Sequence, residues 1–199
     1  MAALFDSLND KQLIQLLKDG AVGVLPTDTV YGLVCVASNP EAVERLYKLK
    51  NRYDRPGTLI AANIDQLVEL GFKRRYLKAV EQFWPGPVSV ETPYSESSGA
   101  YIRQTQPTIA VRIPADKKVI ALLLQTGPLL TSSANAPEQP TSKTIEEAEV
   151  YFQDNVDFYV DGGDLKDRKS STIIRIVDDE IEVLREGAVK IDANKGIVK

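Results

Sequence analysis

Residues Pro26-Thr27-Asp28-Thr29-Val30-Tyr31-Gly32 set two hydroxyls and a carboxylate directly after an apolar run, Val22 to Leu25. The run reads as a buried strand. Proline cannot donate to a sheet ladder, so Pro26 marks the strand's end. Polar groups at the end of a core strand are where an α/β domain puts ligand contacts. The same residues also suit an Asx or Ser/Thr turn between two strands. Both readings stand at this point.

Lys50 and Arg52 fall where a helix over about 40–51 ends. Residues two apart on a helix do not share a face. The pair can grip one ligand, such as a polyphosphate, only if the helix stops between them. Asp54, Arg55, Pro56 and Gly57 agree with such a stop; basic residues in a last helical turn also simply complement the helix dipole. In Thr108–Ile113, one face carries Thr108, Ala110 and Arg112, and the core face carries Ile109, Val111 and Ile113. Thr108 and Arg112 then stand roughly 13 Å apart at ~3.3 Å per residue, the span of a ligand. The alternative is a surface face with Arg112 paired to a carboxylate. Leu130-Thr131-Ser132-Ser133-Ala134-Asn135 closes another strand with four polar residues. Thr131 and Ser133 point the same way along it, although a cap or turn uses such residues too. Thr141 follows in the same loop, Ser171-Thr172 leads into a strand, and Arg185 ends another.

The chain that must position these groups has 199 residues, enough for one domain with a real core. A net charge of −4 gives no global basic signal for nucleic acid and leaves only a local patch. No apolar run is long enough to span a membrane, and Met1–Asp6 lacks the charged start and long apolar stretch of a signal peptide. A cytoplasmic location is therefore expected. Cys35, the single cysteine, lies inside an apolar run and reads as a core residue. There is no histidine. That removes histidine triads, histidine general bases and histidine metal ligands, and with one cysteine it excludes structural zinc. No phosphate-loop, dinucleotide or nucleophile-elbow glycine motif occurs. Chemistry must rest on Lys, Arg, hydroxyls, amides and carboxylates.

Helices are predicted over 9–19 (Asn9 as cap, Gly20 as stop), 40–51 behind Asn39, 64–71, 73–84, 116–126 and 144–153. Pro85-Gly86-Pro87 breaks the fourth of these. Strands are predicted over 21–25, 30–37, 58–62, 88–91, 108–113, 129–131 and 157–161, with a hairpin of 173–177 and 181–184 about Asp178-Asp179. Residues 93–107, 132–143 and 162–169 read as loops, and the last dozen as a loosely ordered tail. No internal repeat or dividing linker is present. The alternation of helix and strand predicts an α/β sandwich about a twisted, mixed sheet.

Taken in order, Pro26-Thr27-Asp28-Thr29-Val30-Tyr31-Gly32, Lys50-x-Arg52, Trp84-Pro85-Gly86-Pro87, Ala110-Val111-Arg112-Ile113-Pro114, Thr131-Ser132-Ser133-Ala134-Asn135 and Ser171-Thr172 resemble the YrdC-like family. These are the threonylcarbamoyl-AMP synthases of tRNA modification. The resemblance runs from about residue 10 to residue 188 and implies the short bacterial form, with a catalytic domain over 1–188 and a tail over 189–199. It implies an α/β fold whose twisted mixed sheet and flanking helices enclose a large concave cavity. The implied reaction joins L-threonine, bicarbonate (or CO2) and ATP into L-threonylcarbamoyl-AMP and pyrophosphate. Mg2+ is expected on the ATP phosphates, with no metal held by the protein itself. A downstream tRNA-modifying transferase complex would use the product at adenosine 37 of tRNAs that read codons beginning with A.

Carried over by position, Thr29, Arg112, Thr131 and Ser171 match threonine-contacting residues of the family. Arg52, Thr108, Ser133, Thr141 and Arg185 match ATP-contacting ones. Lys50 and Asn135 match the Lys-x-Arg and Ser-x-Asn signatures, so that Lys50, Arg52, Ser133 and Asn135 form the implied catalytic set. Two features depart from the family. Members usually carry proline after Lys-x-Arg and a longer lead into the next strand; here Tyr53-Asp54-Arg55-Pro56-Gly57-Thr58 is about one residue shorter. Some relatives use a histidine just beyond, which this chain lacks. ATP contacts from 53–58 are left unassigned.

The implied chemistry suits a chain without histidine. A carbamate formed from threonine's amine and bicarbonate is already an anionic nucleophile. The protein need only hold it in line with the α-phosphorus and neutralise phosphate charge. A different class of function would use the same charges: a double-stranded RNA or tRNA binding module with a basic concave surface built from Lys48, Lys50, Arg52, Arg55 and Lys73–Arg75. A third, carbamoyl transfer in another pathway, would be indifferent to threonine.

Overall fold

Strands that are apolar on both faces belong inside a sheet covered on both sides, and Tyr31–Val36 is such a strand, buried along its whole length. The computed structural model describes residues 1–52, 54–97, 99–178 and 180–192, and the backbone of 197–198. Its strands are β1 (Ala3–Phe5), β2 (Gly23–Pro26), β3 (Tyr31–Val36), β4 (Thr58–Ile60), β5 (Val88–Pro93) and β6 (Thr108–Arg112). They continue as β7 (Leu129–Ser133), β8 (Phe158–Val160), β9 (Thr172–Val177), β10 (Glu180–Arg185), β11 (Ile191–Asp192) and β12 (Ile197–Val198). The first ten form one mixed sheet in the order β1-β8-β2-β3-β7-β4-β6-β5-β9-β10.

Period-two alternation sorts the core into two faces. Leu33 and Cys35 pack with α2 (Pro40–Leu49) through Val43 and Leu46, and with α7 (Ile145–Phe152) through Ala148 and Phe152. Val34 and Val36 face the other way, onto Leu13 and Leu17 of α1 (Lys11–Lys18) and Leu122 and Leu123 of α6 (Lys117–Thr126). Each fully buried leucine contributes about 1.5–3 kcal/mol of apolar transfer free energy. The caps are local and strong. Asp10 accepts from the Gln12 and Leu13 amides, Asn39 from Ala42, and Asp116 from Lys118 and Val119. Such caps contribute roughly 1 kcal/mol each. Among the described residues no helix is long and apolar enough to cross a membrane.

Several expectations need correction. The cap of α1 is Asp10, not Asn9, because the aspartate carboxylate reaches the free first-turn amides. The helix expected over 73–84 is shorter, α4 (Arg74–Ala79); Val80 leaves helical geometry at φ −120° and a separate 3-10 turn, Glu81–Phe83, follows. The expected loop 93–107 contains a helical turn, α5 (Ala100–Arg103), whose Ile102 is buried although the stretch shows no helical period. The remaining short helix is α3 (Ile64–Glu69). Strand β1 pairs only with β8 and was invisible as an exposed three-residue edge. Strand β7 runs two residues further than expected, to Ser133, because Ser132 and Ser133 keep pairing with Leu33 and Gly32 of β3. The expected hairpin forms between β9 and β10; Asp178 takes φ +49° and Asp179 lies outside the described residues. At the end of the chain the Ala188 amide bonds Ser170 O and Val189 shares two hydrogen bonds with the Thr172 hydroxyl. Ile191–Asp192 pairs antiparallel with Ile197–Val198, and 193–196 and 199 lie outside the described residues.

Gly57 marks how closely the strands around the cavity approach. A Cβ there would lie 2.5 Å from the Thr131 carbonyl oxygen and 3.2 Å from Leu130 Cδ1. Gly57→Ala must push β4 off β7 and should destabilise by on the order of 1–3 kcal/mol. A urea titration checks this: the midpoint falls and the slope holds.

Candidate active site

Strand ends and strand faces of the mid-sheet converge on a cavity of about 470 Å3. That size suits a nucleotide-scale ligand. Five arginines line it, Arg52, Arg55, Arg112, Arg175 and Arg185, against two carboxylates, Asp54 and Glu91. The hydroxyls of Thr29, Thr108, Thr131, Ser133 and Ser171 share its wall. Of the eleven side chains carried over by family position, eight are therefore gathered on one surface: Thr29, Arg52, Thr108, Arg112, Thr131, Ser133, Ser171 and Arg185. Lys50, Asn135 and Thr141 do not line it.

Arg112 closes β6 with a guanidinium only 3% exposed. Its Nη1 pairs with Asp28 Oδ1 at 2.7 Å and reaches Thr29 Oγ1 at 3.4 Å. Asp28 is fixed in turn by the Ala115 amide at 3.2 Å. Arg112 meets the cavity and is paired with a carboxylate, but not on a surface face: the pair is buried. Burial lowers its pKa and Asp28 pulls it back up. Its Nε is buried without a hydrogen-bond partner among the described residues. An unmade donor of this kind costs about 1–3 kcal/mol.

Hydroxyl proton directions follow from the partners. Thr27 Oγ1 donates to Val30 O at 2.7 Å, so the 3.0 Å contact between Thr27 Oγ1 and Thr29 Oγ1 carries the Thr29 proton. Thr29 therefore offers lone pairs to the cavity. Ser171 is the converse. Its Oγ accepts from Ser89 Oγ at 2.9 Å and from Arg185 Nη2 at 3.2 Å, which leaves its own proton free to donate. Arg185 also grips Ser171 O, at 2.8 Å from Nη2. The Thr131 hydroxyl fills the space a side chain at Gly32 would take; a Cβ there would come within 2.5 Å of it.

Helix α2 does stop between Lys50 and Arg52. Asn51 takes φ +47°, its amide bonds Lys48 O at 3.0 Å, and the Arg52 amide bonds Tyr47 O at 3.0 Å. This is a Schellman ending. It sends the two basic side chains apart. Arg52 enters the cavity, with Nη1 donating to Ser132 Oγ at 3.3 Å. Lys50 turns inward, 3% exposed. Its ammonium donates to Ser133 O at 2.8 Å, to Asn135 Oδ1 at 2.9 Å and to Asn135 O. Burial first and the Arg52 charge second draw its pKa down to about 8. Its donors are thus engaged by the loop after β7. Asn135 belongs to the same network, accepting from Ser133 Oγ at 2.7 Å and donating to Gln139 O at 2.6 Å. Thr141 is displaced from the cavity because its neighbour Ser142 is buried and doubly bonded to Ala134 O.

The chain matches the family model named Sua5, YciO and YrdC, described as "Telomere recombination", over residues 15–187. It belongs to this family. A threonylcarbamoyl-AMP synthase of Pseudomonas fluorescens is 33% identical over 175 residues, which cover 86% of this chain and 94% of that protein. The P. abyssi Sua5 structure complexed with L-threonine is similar with a TM-score of 0.83 at 26% identity over 96% of this chain. This chain spans 58% of that longer one. Escherichia coli YciO shares the fold, with a TM-score of 0.80 at 24% identity, covering 94% of this chain and 96% of that one.

Within this Sua5/YciO/YrdC member, the basic residues considered for an RNA surface are divided between the interior, the cavity and the exposed surface. Lys50 is buried, and Arg52 and Arg55 face the cavity. Lys48 pairs with Glu44, Arg74 pairs with Asp65, and Arg75 lies over the Tyr76 ring. Several site residues were missed by sequence reasoning. Arg175 and Glu91 are cross-strand partners on β9 and β5, visible only once that pairing is known. Ser89, fully buried behind Ser171, looked like one polar residue in an apolar strand. Tyr31 was noted only as a neighbour of Gly32; its hydroxyl accepts from Gly162 N at 2.8 Å and donates to Gly163 O at 2.9 Å.

Two substitutions separate the basic pair. Lys50→Ala strands three buried acceptors and should lower stability by on the order of 1–3 kcal/mol. Arg52→Ala removes a charge from a crowded cationic wall and should leave stability within about 0.5 kcal/mol, while weakening the binding of a polyphosphate ~10–100-fold through a lost charge-assisted contact. Thermal melts and calorimetric ATP titrations read both; an unaltered melt for Lys50→Ala would reassign that ammonium to the ligand.

Proposed function

We propose that this cavity makes L-threonylcarbamoyl-AMP from ATP, L-threonine and bicarbonate, with release of pyrophosphate. The observation that carries the reading is the surplus of arginine over carboxylate on a wall otherwise built of hydroxyls. Such a wall suits a polyanion beside a small polar substrate. Membership of the family and the names of its relatives agree with it.

The threonine amine adds to bicarbonate carbon, and loss of water leaves a carbamate. A carbamate oxygen then attacks the α-phosphorus of ATP, the bond from that phosphorus to the bridging oxygen breaks, and pyrophosphate carries the charge away. Arg52 and Arg185 face the phosphates, with Thr108 and Ser133 along the nucleotide. Arg112, on the cavity wall, meets the threonine carboxylate. The Ser171 proton and the Thr29 lone pairs read the polar groups of threonine, and Thr131 bounds its methyl. None of these residues becomes covalently modified; orientation and charge neutralisation do the work. Among the described residues no three His, Cys, Asp or Glu side chains gather as a metal site. Mg2+ would enter as part of the nucleotide substrate, where it would supply further neutralisation of the phosphates. The product, a reactive acyl adenylate, goes to a tRNA-modifying transferase.

Pyrophosphate release that requires ATP, threonine and bicarbonate together is the expected result. Release without threonine would point to carbamoyl transfer of another kind, and no release at all would end the proposal. Arg112→Lys supplies the second test. Lysine keeps a positive charge for Asp28 but cannot copy the guanidinium fork. Threonine affinity should fall ~10–100-fold, the loss of one to two charge-assisted bonds, with ATP affinity nearly unchanged. Calorimetry of both ligands checks it: ATP loss with threonine affinity intact would move Arg112 to the nucleotide side.

A further inference from the structure

The loop behind α2 carries Arg52 and Arg55, and among the described residues the Arg52 guanidinium makes one hydrogen bond, at 3.3 Å to Ser132 Oγ. The backbone of that loop is held instead, and from one place. Gln104 Nε2 donates to Arg52 O at 2.7 Å, Thr105 Oγ1 to Asp54 Oδ1 at 3.1 Å, and Gln106 Nε2 to Asp54 O at 3.1 Å. Three consecutive side chains thus grip residues 52 and 54. The Arg52 peptide is clamped from both sides, since its amide already bonds Tyr47 O.

Gln104 accepts two local costs in that position. Its backbone stands at φ +56°, ψ −127°, a conformation that glycine takes freely and L side chains avoid. Its Oε1 is buried without a hydrogen-bond partner among the described residues, so the amide is desolvated while only its donor end is used. Glycine would make the same turn without strain, but has no amide to reach Arg52. Strain of this sort persists where the surroundings over-determine it, and functional sites are where it collects.

We propose that Gln104 is a positioning residue: its amide holds the loop carrying Arg52 and Arg55 against the phosphates of ATP. The ATP assignment rests on the function proposed above; the grip of Gln104 on the loop does not. The clamp is also a local answer to the short lead between Arg52 and β4, which leaves this loop few residues with which to brace itself.

Gln104→Gly and Gln104→Ala test it together. Both delete the donor, but only glycine relieves the backbone, so the glycine variant should melt at or above the parent and the alanine variant below the glycine one. In both, KM for ATP should rise about 5-fold, the loss expected of one hydrogen bond, with KM for threonine unchanged within about twofold. Hydrogen exchange over a peptide spanning 51–58 should quicken in both. Unchanged exchange in that peptide overturns the proposal, as does an unaltered KM for ATP or an equal rise in both KM values. Should the parent protein make no threonylcarbamoyl-AMP, the functional reading alone falls, and the exchange measurement still decides whether Gln104 holds the loop.

Discussion

Three guanidinium groups, those of Arg52, Arg112 and Arg185, are turned toward one cavity, and among the described residues only Asp28 stands within ion-pairing distance of any of them. Burial lowers the pKa of all three, and the charges of Arg52 and Arg112 lower that of Arg185 further. Much of the architecture follows from keeping these cations in place with a single carboxylate, Asp28, paired to one of them. Arg112 is tied to Asp28, Arg185 to the Ser171 backbone, and Arg52 to a loop held through its peptide group. A bound polyanion removes the imbalance. Linkage then makes the liganded protein the more stable one, by an amount that grows with ligand concentration over Kd.

The sheet supplies rigid places for the groups between the arginines. Strand β7 lies between β3 and β4, and the two glycines facing it, Gly32 and Gly57, let Thr131 sit where neighbouring side chains would otherwise be. Thr27 and Ser171 sit just outside the strands, beside Pro26 of β2 and Thr172 of β9. Their proton directions are settled by second partners, Val30 O for Thr27 and Ser89 for Ser171. The cavity therefore presents an acceptor at Thr29 and a donor at Ser171 before any substrate arrives, and reorganises little on binding.

Most of the framework was legible because its signals are local. The apolar run through Val34 and Cys35, the Asn39-Pro40 start and the alternation of Thr108–Arg112 each survive in the structure within a residue or two. What escaped depends on pairing far along the chain. The edge strand Ala3–Phe5 has no pattern until Phe158–Val160 lies beside it, and Arg175 joins the cavity only because Thr172–Val177 pairs with Val88–Pro93. The motifs brought the right residues together, but they did not distinguish a side chain in the cavity from one behind it. Lys50 and Arg52 are two residues apart and diverge because a single positive φ at Asn51 turns the chain between them.

The parallel pairing of β1 with β8 has a consequence for synthesis. Ala3 meets Phe158, and the Ala2 amide reaches the Asp154 carboxylate, so β1 has no partner until β8, far along the chain, has been made. Long-range parallel pairing of this kind is slow and leaves an unpaired edge in the interim. Val24, whose strand also takes Tyr159 of β8 as a neighbour, can meanwhile pair with Leu33 of β3 at once, because that hairpin closes locally. The β2–β3 hairpin can thus form well before the β1 edge is completed.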